Sequence, residues 1–186
     1  ELYKKILDKH GIIIELGVRW GQNMCLFTML KGIYEPYNYN RKIIGFDTFK
    51  GFSGVCSKDK NNNENDYSVS LNYKNDLQDI LNFHIYNNPI NHICKSVLIE
   101  GDACNTLKTY LQENKHTLIS FVYFDFDIYK PTYECLKLIL PHLTKGAIIA
   151  FDELNDELFP GETLALKEVL DINKYEIKRF TFDPLI

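Results

Sequence analysis

A chain of 186 residues that is 45% hydrophobic and 25% charged has enough apolar material for one globular core. Its formal net charge is −4 and its Lys and Arg are scattered, which argues against the basic patch of a nucleic-acid binder. No apolar run approaches the roughly 20 residues of a membrane span, and the opening ELYKKILDKH does not read as a signal peptide.

Residues 2–9 carry Leu2, Tyr3, Ile6 and Leu7 at helical spacing, and Gly11 closes that helix. Ile12, Ile13 and Ile14 form a β-branched strand of the kind buried on both faces. It runs into Glu15-Leu16-Gly17-Val18-Arg19-Trp20-Gly21, after which residues 22–30 return to helical spacing. In this E-x-G-x-x-x-G turn, Gly17 permits a tight turn and the close approach of a ligand, and Gly21 lets the next helix start beside it. The spacing is not G-x-G-x-x-G, which argues against a dinucleotide site. The plain alternative is an ordinary βα turn that needs glycine.

Residues 42–46 predict a second strand ending at Asp47, whose two carboxylate oxygens suit the two hydroxyls of a ribose. Thr48 and Phe49 follow in the compact turn FDTFKGF. Residues 54–72 are polar and Asn-rich, so the stretch 54–95 reads as a lid or an insertion, with a helix over 73–86 inside it. His84 and His92 lie near that helix, and His84 is a candidate base if the helix faces the site. Residues 96–99 predict a third strand leading to Glu100-Gly101-Asp102-Ala103, where an acid could meet an adenine amino group. Further expectations are a helix over 106–113, strands over 118–124 and 147–151, helices over 132–142 and 161–171, and a sixth strand over 175–182. This alternation predicts a three-layer α/β sandwich with a mostly parallel sheet, in a single domain.

The stretch 121–153, FVYFDFDIYKPTYECLKLILPHLTKGAIIAFDE, reads as strand, helix, strand. One strand ends at Asp125 and Asp127 and the other at Asp152 and Glu153. Parallel strands deliver these ends to one edge, where carboxylates repel unless a cation joins them. A divalent cation with hard oxygen ligands such as Mg²⁺ answers that; the alternative is that each acid caps the helix after it. Cys25, Cys56, Cys94, Cys104 and Cys135 lack C-x-x-C spacing and read as reduced structural thiols of a cytoplasmic protein.

The ordered set E-x-G-x-x-x-G, FDTFKGF, EGDA, FDFDIY and FDE resembles class I S-adenosylmethionine-dependent methyltransferases, which have a Rossmann-like fold. More narrowly it is similar to the macrocin O-methyltransferase-like family, whose members methylate sugar hydroxyls with a bound Mg²⁺. The resemblance covers residues 12–170. It implies that Glu15, Gly17 and Gly21 hold the methionine end of S-adenosylmethionine, that Asp47 binds its ribose with Thr48 and Phe49 beside it, and that Asp102 and Ala103 meet its adenine. It further implies Asp125, Asp152 and Glu153 as metal ligands. This chain departs from the family at Glu153, where Asp is common, and at Lys50, where an acid is common. Methyl transfer needs an aligned acceptor oxygen and a base to take its proton. Asp125 or Asp127 is expected in that role, with Asp127 favoured and His84 in reserve. The acceptor is expected to be a polar, hydroxylated small molecule, a sugar or glycoside, with neither nucleic acid nor membrane as partner; a homo-oligomer stays open. The alternatives are a catechol-type O-methyltransferase, an NAD-dependent enzyme on the same sheet, and a protein that keeps the fold without turnover.

Overall fold

The computed structural model describes residues 1–60 and 62–180 of the chain. Five strands form one sheet in the order β3-β2-β1-β4-β5: β1 (Ile12–Leu16), β2 (Ile43–Asp47), β3 (Ser96–Glu100), β4 (Ile119–Phe124) and β5 (Leu143–Phe151). Every pairing is parallel. The two central strands are the most apolar, IIIEL and ISFVYF, and every residue of both is buried. This is the pattern of a sheet covered on both faces.

Alternate residues along each strand supply two separate cores. Ile13, Ile43, Phe121 and Tyr123 face Met24, Phe27, Leu77 and Leu81 of α2 (Gln22–Tyr34) and α3 (Tyr73–Tyr86), beside the short α1 (Leu2–Lys5). Ile14, Leu16, Phe46, Val122 and Phe124 face Leu107, Leu111, Leu136 and Leu166 of α4 (Ala103–Glu113), α5 (Tyr129–Ile139) and α6 (Pro160–Val169). The expected three-layer α/β sandwich is present. The chain steps outward from β1 to β3 and then returns to β4 beside β1. A crevice therefore opens beyond the C-terminal ends of β1 and β4.

Several elements differ from their sequence expectation for local reasons. Helix α4 begins at Ala103, not 106, because the Asp102 carboxylate caps it, accepting from Cys104 N–H at 2.9 Å. Helix α5 begins at Tyr129, not 132, with Pro131 in its first turn, where a missing N–H costs nothing. The expected sixth strand is absent over 175–180, and its remainder lies outside the described residues. Tyr175 and Ile177, the first apolar positions of the alternation, are more than half exposed. Within the stretch 54–95, α3 packs into the layer against α2 and β3, and the described residues on either side of it, over 54–72 and 87–95, carry no helix or strand. Among the described residues no helix is long and apolar enough to cross a membrane.

The N-terminal edge of the sheet is closed by one buried arginine. Arg41 pairs with Glu35 (Nε to Oε2, 3.0 Å) and donates to the carbonyls of Gly11 at 2.5 Å and of Ile6 and Lys9, each at 2.9 Å. It also donates to Ser120 Oγ at 2.6 Å, while the Tyr3 hydroxyl donates to Glu35. The guanidinium thus ties the α1–β1 turn to β4. Replacing it strands a buried carboxylate and several carbonyls. Arg41→Ala is expected to cost about 3–5 kcal/mol, and Arg41→Lys to recover only part of that, because an ammonium lacks the planar fork. Urea denaturation of both variants checks this; an Arg41→Ala midpoint equal to wild type contradicts it.

Candidate active site

At the other edge the strands end in register. Leu16 lies level with Phe46 and with Phe124, and Phe124 with Phe151. The next residue on each strand is therefore Gly17, Asp47, Asp125 or Asp152, and these extend the ladder: Gly17 N–H to Phe46 O, Asp125 N–H to Leu16 O and Asp152 N–H to Phe124 O. Three of these four positions carry an acid. Gly17, at φ +90°, takes the fourth because a Cβ there would lie 1.9 Å from the Asp125 carbonyl oxygen. The close approach that this glycine permits is made by the protein's own chain. Gly21 is likewise required by packing, since Leu77 of α3 fills the place of its Cβ.

Two adjoining clefts open over this rung. The first is lined by Gly17, Asp47, Thr48, Asp102, Ala103 and the loop after β4. The second, of about 470 Å³, is lined by Glu15, Tyr123, Asp125, Asp127, Asp152 and Glu153, with Tyr67 and Phe159. Arg19, Tyr67, Asp125 and Asp127 line both. The Asp47 carboxylate organises the first cleft. Its Oδ2 accepts from the N–H of Val18 at 2.6 Å and of Arg19 at 2.8 Å, and its Oδ1 from Phe49 N–H at 2.5 Å. Asp47 thus holds the glycine turn in shape and keeps only part of its accepting capacity for a ligand.

The second cleft concentrates negative charge. Burial, then the charges of Asp152 and Asp127, push the Asp125 carboxyl up to about 8. Burial and Asp152 raise Asp127 to about 6, against the opposing pull of Arg19. Burial and Asp127 raise Glu153 to about 7. Glu15 is fully buried and pushed well above the carboxylate range by burial and then by Asp125, and its Oε2 has no hydrogen-bond partner. The Tyr123 hydroxyl donates to Asp152 Oδ1. Among the described residues Arg19 is the only cationic side chain lining either cleft. Crowded hard oxygens with one orphaned acceptor suit a divalent cation in donor chemistry. As placed, no group of three or more His, Cys, Asp or Glu among the described residues is arranged to hold one.

Of the residues expected from sequence, Glu15, Gly17, Asp47, Thr48, Asp102, Ala103, Asp125, Asp127, Asp152 and Glu153 line these clefts. Glu15 faces the second cleft, not the first. Phe49 does not face a ligand site; it is buried in the core under α2 and α3. Gly21 lines neither cleft. His84 is not brought to the site either. Helix α3 meets the glycine turn at its start, where the Tyr73 hydroxyl donates to Trp20 O at 3.0 Å. His84 lies in its last turn, where Asn88 donates to the His84 carbonyl and fits against Gly32 near the end of α2. That is the opposite edge of the sheet.

Two buried acids escaped the sequence reading. Glu162, in the first turn of α6, accepts from Phe126 N–H at 3.0 Å and Glu153 N–H at 3.4 Å, and so joins the two acidic loops. Asp59 accepts from Tyr129 N–H at 2.6 Å and Cys56 N–H at 2.9 Å, and so pins the loop before α3 to the start of α5. Asp59 sits in a polar run and Glu162 in the first turn of a helix, places where an acid ordinarily meets solvent; only burial reveals their role.

The structure matches the crystal structure of CalS11, a calicheamicin methyltransferase, with TM-score 0.95 and 41% identity over 98% of this chain and 73% of that one. The apo structure of CalS11, described as a TDP-rhamnose 3'-O-methyltransferase of calicheamicin biosynthesis, gives 0.86 and 39% over 98% and 72%. The chain belongs to the sugar O-methyltransferase family. This O-methyltransferase also shares the fold of the O-methyltransferase NovP, at TM-score 0.65 and 17% identity over 97% of this chain and 72% of that one. No protein-family model and no curated protein matches it.

The raised carboxyls of the methyltransferase give it a defined pH response. Asp125 ordinarily titrates near 3.8 and in the folded chain near 8, so between those values the folded state holds a proton that the unfolded chain has released. Stability from this group is full below the lower value and is lost as pH rises through the upper one. Asp127 and Glu153 add in the same direction up to about 6 and about 7. In EDTA, Tm is expected to fall by more than about 3 °C between pH 5.5 and pH 8.5, and Asp125→Asn is expected to flatten the fall. A Tm that rises across this range contradicts the assignment.

Proposed function

We propose that this protein transfers a methyl group from S-adenosylmethionine to a hydroxyl of a sugar or glycoside, with a divalent cation in the acidic cleft. The observation that carries the reading is the pair of clefts meeting at Asp125 and Asp127. One is shaped by a glycine turn and an acid after β2; the other is a carboxylate-lined space suited to a polyol. The likeness to CalS11 supports a sugar as acceptor.

In this reading the first cleft takes the donor. Asp102 and Ala103 meet its adenine, Asp47 and Thr48 its ribose, and the turn at Gly17 its methionine end. Three backbone N–H groups already occupy Asp47, so it has room for one ribose hydroxyl more readily than for two. Glu15 lies beyond this turn, in the wall of the second cleft. The sulfonium donor supplies an electrophilic methyl when bound, and a carboxylate-rich surround suits its positive charge.

In the second cleft Asp125, Asp152 and Glu153 would hold Mg²⁺ or a similar cation, which when bound makes a coordinated hydroxyl more acidic. Tyr123 steadies Asp152 through its hydrogen bond. Asp127 lines both clefts, and its carboxyl at about 6 ionises below neutral pH, which suits a base that takes the hydroxyl proton. The free cysteines fit a cytoplasmic setting.

Binding, product and rate measurements test this. Isothermal titration with S-adenosylhomocysteine is expected to show one site per chain, and absence of heat removes the donor assignment. Mass spectrometry of glycosides and nucleotide sugars incubated with S-adenosylmethionine and Mg²⁺ is expected to show the gain of one methyl group. Asp152→Ala is expected to lower kcat by about 100-fold or more while S-adenosylhomocysteine still binds. A wild-type rate insensitive to EDTA removes the metal.

A further inference from the structure

The second cleft is lined by carboxylates and also by aromatic rings from two loops. Tyr67 comes from the loop before α3 and Phe159 from the loop after β5, and their ring centroids stand 6.4 Å apart at 56°. Tyr67 lines both clefts, whereas Phe159 lines the acidic one alone. A pyranose has matching parts: hydroxyls around its rim and a face of C–H groups that stacks on aromatic rings.

Both rings have neighbours that hold them in place. The Arg19 guanidinium lies 4.5 Å from the Tyr67 ring centroid, and Phe52 stands 5.0 Å from Tyr67. Arg19 and Tyr67 both have positive φ, at 47° and 63°, a conformation that side-chain-bearing residues adopt only when their surroundings impose it. Phe159 is fixed through its N–H to Asp156 Oδ1 at 3.1 Å, an oxygen that also accepts from Leu158 N–H at 2.6 Å. The loop carrying Tyr67 is anchored by the buried Asp59 and by Lys58, which pairs with Glu168 at 2.6 Å and lies over the Tyr129 ring. The loop carrying Tyr67 is therefore tied to α5 and α6.

The geometry points to Tyr67 and Phe159 as the specificity wall of the acceptor site, receiving the C–H face of a pyranose while its hydroxyl edge meets Asp125, Asp127, Asp152 and Glu153. This rests on the sugar O-methyltransferase reading and adds the residues that select the acceptor. Neither ring touches the groups expected to move the proton or hold the cation as a hydrogen-bond partner, so the wall acts on acceptor affinity and not on the chemical step. Preorganised rings lose little freedom on binding, which favours affinity.

The test uses the whole chain with Mg²⁺ and a panel of methyl glycosides beginning with methyl α-L-rhamnopyranoside. Saturation-transfer NMR titration with S-adenosylhomocysteine present reads acceptor affinity, and steady-state methylation with S-adenosylmethionine in its place reads KM and kcat. Phe159→Ala is expected to weaken binding of whichever glycoside the wild type accepts, and to raise its KM, by about tenfold. It should leave kcat within about twofold and S-adenosylhomocysteine affinity unchanged, since Phe159 does not line the first cleft. Phe159→Trp should restore affinity. Tyr67→Phe should behave as wild type, and Tyr67→Ala should weaken acceptor binding as Phe159→Ala does and, because Tyr67 also lines the first cleft, lower S-adenosylhomocysteine affinity as well. If the wild type accepts a glycoside and neither alanine variant alters its affinity, or Phe159→Ala lowers kcat with KM unchanged, the wall is overturned and the methyltransferase reading stands. If the wild type binds S-adenosylhomocysteine but methylates only non-sugar hydroxyls, the sugar reading fails and the wall fails with it.

Discussion

One rung of the sheet decides most of this molecule. Parallel pairing brings the residues after Leu16, Phe46, Phe124 and Phe151 to the same level, and three of them are aspartates. Carboxylates this close must be neutralised, protonated or given hydrogen bonds. The fold does the last wherever a backbone N–H is to hand. Asp47 takes three from the two turns beside it, Asp102 caps α4 and Asp59 caps α5. Asp125 and Asp127 keep raised pKa values from burial and the charge of Asp152, and both line the clefts. The same residue type therefore has two fates at one edge, set by which way nearby amides point. Glu162 stands between them. It accepts two backbone N–H groups, yet burial and the neighbouring charges still raise it well above the carboxylate range.

Such an edge is unstable by itself, and the opposite edge shows what offsets it. There the buried charge is positive and well partnered: Arg41 spends its donors on Glu35, on Ser120 and on three carbonyls. The sheet between is buried along its central strands and has little freedom to relax. Repulsion at the acidic edge thus cannot be relieved by spreading the strands. It remains as raised proton affinity, and a ligand of positive charge can release it.

The backbone plan was legible because it rests on local pattern. A triple isoleucine, a run of ISFVYF and the acids that follow them specify parallel strands ending at one edge, whatever surrounds them. Asp125, Asp127, Asp152 and Glu153 were legible for the same reason. Roles that depend on tertiary neighbours were not. Phe49 follows Asp47 directly in sequence, but the left-handed turn at φ +54° swings its ring into the core. His84 shares a helix with Leu77, which touches the glycine turn, yet two helical turns carry it to the far edge. The alternation over 175–180 promised a strand, but alternation makes a strand only where a neighbouring edge accepts it. Glu162 and Asp59 looked like surface acids because burial of a carboxylate depends on amides that fold against it from distant segments.

Gly17 shows how this bears on function. In sequence it reads as a place where a ligand approaches the backbone; in the structure the Asp125 carbonyl is what comes close. The glycine turn is thus set by β1 and β4 themselves, braced by Asp47 from β2, before any ligand arrives. A turn fixed this way suits many methyl donor-binding chains and says little about the acceptor. The parts that the sheet does not dictate are the loop held by Asp59, the loop held by Glu162 and Asp156, and the aromatic rings they carry. Local pattern sets the acids on the rung, and tertiary contacts set the loops beside them.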